Sequence, residues 1–303
     1  MIAATRSPYL DLQALAGLAN MRFTTKHRIE GSYSGRHRSR QQGGAGEFVD
    51  FREYTGGEDL RRLDWKVFAR TGKAFVRLHQ DETNLLCTLA IDASGSMAFG
   101  GGRHSKHAET KLKYVQYLAT ALSHVIVSGQ DQVGLAIMDE TLREYFPPRS
   151  TVSHVALVQE AIQNLKTKPT TSMGASLRNL FERSRGRGVL LLVSDFLMDD
   201  IDDVFASVRL FRHRGWEVST LHLVHPDEER LPEGTAFRFE GLENDGSVDC
   251  SPDEVRTLYQ QRMSEHLAMI RKFALAAGSD YRFVSTGVPY LTTLGGFLVE
   301  RAG

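Results

Sequence analysis

From Leu85 to the end of the chain, short apolar runs alternate with amphipathic stretches, and few folds accommodate that pattern. Leu85 to Ile91 is almost continuously apolar, as is Val189-Leu190-Leu191-Leu192-Val193. Runs of this kind suit strands buried on both faces of a parallel sheet. Between them Leu112, Val115, Ala119, Leu122 and Ile126 recur at helical spacing, with Gly129 as the stop. Val133 to Met138 and Leu142 to Phe146 predict two strands joined by a tight turn. Val155, Val158, Ile162 and Leu165 mark a second helix ended by Pro169, and a third runs from about Gly174 to Arg185. A helix with Val204, Val208 and Phe211 precedes a strand from Val218 to Val224. Ser251-Pro252-Asp253-Glu254 predicts a helix start, with serine as cap, proline first and glutamate three after the cap. That helix runs to about Gly278, with Leu258, Met263, Leu267, Ile270 and Phe273 as its core face. Tyr281 to Val284 is the last strand, and a closing helix starts near Pro289. The order implies an α/β fold, a mostly parallel sheet with helices on both faces.

Residues 1–83 break the pattern. From Arg22 to Arg40, Arg22, Lys26, Arg28, Arg36, Arg38 and Arg40 are opposed by Glu30 alone, and Gly43, Gly44 and Gly46 follow. Glu47 to Phe51 and a charged stretch from Arg52 to Arg70 come next. With too little apolar content for its own core, this region reads as an irregular basic arm packed on a larger domain of residues 84–303. Its Asp59, Arg61, Arg62, Asp64 and Arg70, with Tyr54 and Trp65, read as an internally paired clamp more readily than as a docking surface. Within the larger domain, residues 225–250 form a polar, acidic insertion with room for a short hairpin.

The 37 basic and 37 acidic residues balance to zero net charge, which argues against a surface wholly adapted to nucleic acid or anionic membrane. Nucleic-acid binding through the arm stays a minor alternative, because only Phe23 and Tyr33 interleave its charges. Arg6 and Pro8 interrupt any secretory pattern, and no apolar stretch reaches the roughly 18 residues of a membrane span. Cys87 lies in an apolar run as a small buried hydrophobe, and Cys250 lies in a polar loop. The expected compartment is the cytoplasm.

The chemistry-bearing residues fall at strand ends. The first apolar strand ends in Asp92-Ala93-Ser94-Gly95-Ser96, and a later one in Ser194-Asp195. In an open parallel sheet the carboxyl ends of the strands share one edge, so Asp92 and Asp195 are expected to converge there. Ser94 and Ser96 point the same way if the loop curls. Two carboxylates and two hydroxyls make an all-oxygen site, which suits Mg²⁺ and admits Mn²⁺ or Ca²⁺, with zinc and copper less suited. Taken alone, the string is also a strand-end turn whose serine caps the next helix.

Strand order and motif together resemble the von Willebrand factor A-type fold. That resemblance implies a metal-ion-dependent adhesion site on Asp92, Ser94, Ser96 and Asp195, and it assigns Thr171 as a further ligand. Related domains place glycines before that threonine, where this chain has Pro169-Thr170, so Thr170 is a possible substitute. A second resemblance is carried by Ser34-Gly35-Arg36-His37-Arg38-Ser39, Gly46-Glu47-Phe48, Arg52-Glu53-Tyr54, Gly57-Glu58-Asp59, Arg61, Asp64-Trp65 and Ala69-Arg70. These are similar to the signature of the bacterial family labelled domain of unknown function fifty-eight, with Glu58 where an aspartate is common. Members often accompany a MoxR-type AAA+ ATPase, so the resemblance implies that ATPase and an acidic protein ligand as partners.

The expected function is therefore metal-dependent protein binding, with no catalytic residues assigned. A metal-dependent phosphoesterase is the enzymatic alternative, with Asp92 and Asp195 as ligands. His104 and His107 are the nearest bases in sequence, but a solvated loop accounts for them more simply. Neither a G-x-S-x-G elbow nor a phosphate-binding G-x-x-x-x-G-K-[ST] loop is present.

Overall fold

The computed structural model describes residues 7–18, 21–25, 37–38, 47–55, 63–80, 82–101, 109–231, 233, 237–243 and 246–302. The chain forms two compact units, Met1–Thr24 with Leu86–Gly303, and Thr25–Leu85. A short helix α1 (Leu12–Leu15) belongs to the larger unit. The smaller unit holds β1 (His37–Arg38), β2 (Glu47–Glu53), α2 (Trp65–Thr71), β3 (Phe75–Gln80) and β4 (Glu82–Thr83). Strands β2 and β3 pair antiparallel, as do β1 and β4, so regular strands occupy a region that composition alone assigns to an irregular arm. Asp64 accepts from the amides of Lys66 and Val67 and so caps α2. Trp65 is 57% exposed, with Phe68 as its ring neighbour. Asp59, Arg61, Arg62, His104, His107 and most of the basic run lie outside the described residues.

The larger unit continues with β5 (Leu86–Asp92), α3 (Lys111–Ser128), β6 (Gln132–Met138), β7 (Leu142–Arg149), α4 (Val152–Gln163), α5 (Met173–Arg183), β8 (Val189–Ser194), α6 (Ile201–His213) and β9 (Glu217–Val224). A short α7 (Pro226–Glu229), the hairpin β10 (Phe237–Glu240) and β11 (Ser247–Cys250), α8 (Pro252–Ala276), β12 (Asp280–Ser285) and α9 (Tyr290–Ala302) complete it. The fold is α/β, with a six-stranded sheet in the order β12-β9-β8-β5-β6-β7. Every pairing is parallel except that of the edge strand β7. β8 and β9 are buried along their whole length; β8 is an almost continuous apolar run, whereas β9 also buries Glu217, Ser219, Thr220 and His222.

Two local expectations change. Ser251 occupies the cap position of α8, but its side chain makes no capping bond. Pro252 starts the helix instead, since its ring presets φ and it has no N–H to satisfy. The apolar face of α8 is only partly core: Ile270 and Ala274 are buried, whereas Leu258 is 59% exposed. A 25-residue helix spans about 37 Å, longer than the strands beneath it, so its first half overhangs.

Cys87 is fully buried in β5, and burial pushes its thiol far above the usual range. Cys250 is partly exposed. A maleimide is expected to label one thiol per folded chain, at Cys250, and both in denaturant, as read by peptide mass spectrometry. Labelling of Cys87 in the native chain would contradict the buried strand. Among the described residues no helix is long and apolar enough to cross a membrane.

Candidate functional site

Strand β5 connects through α3 to β6 on one side, whereas β8 begins the series that runs off on the other. The order of connection thus reverses between β5 and β8, and the crevice at their carboxyl ends is where such sheets bind ligands. Ile91 pairs with Val193, which brings Asp92 level with Ser194. One oxygen of the buried Asp92 carboxylate accepts from the Ser94 amide at 2.9 Å, and the other from the Ser194 hydroxyl at 2.6 Å. The loop curls into a short 3₁₀ turn over Gly95–Ala98, which sets the Ser94 and Ser96 hydroxyls 3.0 Å apart. Asp195 accepts from the Leu197 amide at 3.1 Å and from the Ser96 hydroxyl. Asp92, Ser94, Ser96 and Asp195 therefore meet at one rim.

Thr171 follows a segment tied to the same loop, where the Lys168 amide donates to the Ala93 carbonyl at 2.9 Å. Its hydroxyl is buried and finds no hydrogen-bond partner among the described residues. Thr170, by contrast, is exposed and its hydroxyl donates to Glu140 at 3.5 Å.

Lys111 completes the charge pattern. It is the first residue of α3, and side chains there lean back past the helix N-terminus, here toward the rim. Its ammonium is fully buried, lies 2.6 Å from Asp195 and pairs with Glu228. Glu228 is held by a capping box on α7: its carboxylate accepts from the His225 amide, while the His225 ring accepts from the amide of Asp227. Burial raises Asp195, but Lys111 and the hydrogen bonds outweigh it and hold the carboxyl below its usual range. Burial pushes Glu228 up against the pull of Lys111. Burial also drives Asp92 well above the usual carboxylate range, and the negative Asp195 beside it adds to the shift. Three buried carboxyls thus share one described ammonium, and that ammonium pairs with Asp195 and Glu228, not Asp92.

The family described as "Protein of unknown function DUF58" matches residues 50–269, more than two thirds of the chain. The chain belongs to the DUF58 family. Similar proteins include uncharacterized proteins of Mycobacterium tuberculosis and Mycobacterium bovis, each 24% identical over 96% of this DUF58 chain and 90% of its own length. Among solved structures, the conserved hypothetical protein BatB from Bacteroides thetaiotaomicron is 16% identical over 71% of this chain and 98% of its own, with a TM-score of 0.46. An aerotolerance-related membrane protein from Bacteroides fragilis has the same identity and coverage and a TM-score of 0.45.

Sequence reasoning about this DUF58 chain missed Lys111, Glu228 and Ser194. Ser194 was legible as the residue beside Asp195. The Lys111–Glu228 pair spans 117 residues and leaves no local signal. Among the described residues no three histidine, cysteine or carboxylate side chains converge as a metal cluster. Any ion at this rim must therefore draw on hydroxyls, and the residues present fit a hard cation on those terms. The Thr171 hydroxyl, buried and unpartnered among the described residues, and the buried Asp92 carboxyl are oxygens of the kind such a cation takes.

Proposed function

We propose that this chain is a metal-dependent protein-interaction module on a von Willebrand factor A-type domain. The observation that carries the reading is the rim where Asp92, Ser94, Ser96 and Asp195 meet, with Lys111 paired to Asp195 and Glu228 but not to the buried Asp92. Asp92, Ser94, Ser96, Thr171 and Asp195 would hold Mg²⁺ or Mn²⁺. The ion would supply an electrophilic position for a carboxylate from another protein. Lys111 holds Asp195 ionised and oriented, while the Ser194 hydroxyl orients one oxygen of Asp92 and the Ser94 amide the other. The proposed partner class is a MoxR-type AAA+ ATPase, or a client of it, that presents a glutamate or aspartate.

The test is a Mn²⁺ titration of the intact chain and of Asp92→Ala combined with Ser94→Ala. The native chain should take up one ion saturably, and the variant should bind at least about 100-fold more weakly. Absence of uptake by the native chain defeats the reading. Capture of the ATPase should likewise disappear in excess chelator.

A further inference from the structure

The acidic insertion returns to the metal loop. Its strands β10 and β11 pair antiparallel from Phe237 opposite Cys250 to Glu240 opposite Ser247, and the Gly241 amide closes the turn on the Gly246 carbonyl at 2.7 Å. From this turn the Glu243 carboxylate accepts a hydrogen bond from the Ser96 amide at 3.0 Å. The approach is close along the backbone as well. A Cβ on Gly95 would lie 2.4 Å from the Leu242 carbonyl oxygen and 2.9 Å from Glu243 Cγ, so only glycine at position 95 lets the turn settle there. The described hairpin is only partly buried: Phe237 and Phe239 are half-buried, whereas Leu242 is 40% and Val248 62% exposed, and β11 is exposed over Ser247–Asp249. Its cross-strand fastening is an exposed pair between Arg238 and Asp249. A seated carboxylate on a weakly anchored hairpin is a displaceable contact.

We propose that the β10–β11 turn is an internal acidic ligand, with Glu243 occupying the mouth of the site until an acidic side chain of a partner displaces it. This rests on the metal-dependent reading above. Glu243 offers the chemistry that the partner would offer, and it does so on the backbone amide of Ser96, whose hydroxyl lies 3.0 Å from that of Ser94. Being tethered, it competes at an effective concentration of about millimolar or more, so a free carboxylate enters only if it binds well. The chain thereby discriminates against weak acidic ligands without losing its site.

The intact chain is compared with Glu243→Ala and with Glu243→Gln, which keeps an oxygen for the Ser96 amide but no charge. Mn²⁺ alone is the probe, with uptake followed by electron paramagnetic resonance and bound water by proton relaxation. All three proteins should bind the ion. The bound ion should carry about one more exchangeable water in Glu243→Ala than in the native chain, with Glu243→Gln between them. Amide exchange over 95–100 should also be about 10-fold faster in Glu243→Ala. Equal relaxivity in the three proteins overturns the internal-ligand proposal and leaves the metal site standing. Absence of Mn²⁺ uptake in all three overturns both.

Discussion

Replacing Lys111 with alanine is expected to cost the larger unit about 3–5 kcal/mol, because it leaves buried carboxylates without their ammonium. The Lys111 side chain is fully buried, and its two partners, Asp195 and Glu228, are 1% and 10% exposed as side chains. Water cannot take the ammonium's place cheaply at such depth. Lys111→Met, which keeps most of the volume and drops the charge, should cost nearly as much, separating charge from packing. Urea unfolding followed through the buried Trp216, in a Trp65→Phe background, reports on this unit.

The loss should depend on pH with a definite sign. Lys111 holds Asp195 below its usual range, so its stabilising contribution is present above the unfolded carboxyl value of about 4 and is lost as pH falls further. Glu228, raised by burial, weighs against folding at neutral pH and is relieved by acid. Both effects shrink the gap between native and variant chains below about pH 4. A gap that stays constant as the pH falls from about 7 to about 2 would show that Lys111 acts by packing alone.

Arg301→Ala should have a comparable effect, about 3–5 kcal/mol, at the opposite end of the sheet. Arg301 near the end of α9 is buried and pairs with the buried Glu217 at the start of β9. It also donates to Ser219 at 3.0 Å and to the Thr24 carbonyl at 2.8 Å, and its guanidinium lies 4.5 Å from the Phe23 ring centre. One side chain therefore fastens the first segment of the chain to its last helix. Its loss removes the Arg301–Glu217 ion pair and the tie to Thr24, so limited proteolysis should cut within residues 21–25 well before the core opens. Arg301→Lys keeps the charge without the planar fork and should recover about half of the loss. Unchanged protease resistance in Arg301→Ala would show that Phe23, only 1% exposed, anchors the segment by itself.

The sheet was readable in the chain because burial on both faces writes itself into local composition. Val189–Val193 is an apolar run for that reason, and the spacing of Val204, Val208 and Phe211 follows from a helix covering one face. The meeting of Asp92 with Asp195 followed from topology, since parallel neighbours end on the same edge. Helix caps were less legible: Ser251 has the right identity, but its side chain makes no capping bond and the Glu254 amide donates to its backbone carbonyl instead.

By itself, then, the sequence determined the α/β class, the strand ends and the four oxygen-bearing residues that share the rim. Only the tertiary structure decided that a buried lysine sits beside Asp195, that Glu228 balances it, and that Glu243 reaches Ser96 across 147 residues. Periodicity records which face of an element is buried, over spans of a few residues. An ion pair or a seated turn between distant segments depends on how the whole chain closes, and it leaves no periodic trace.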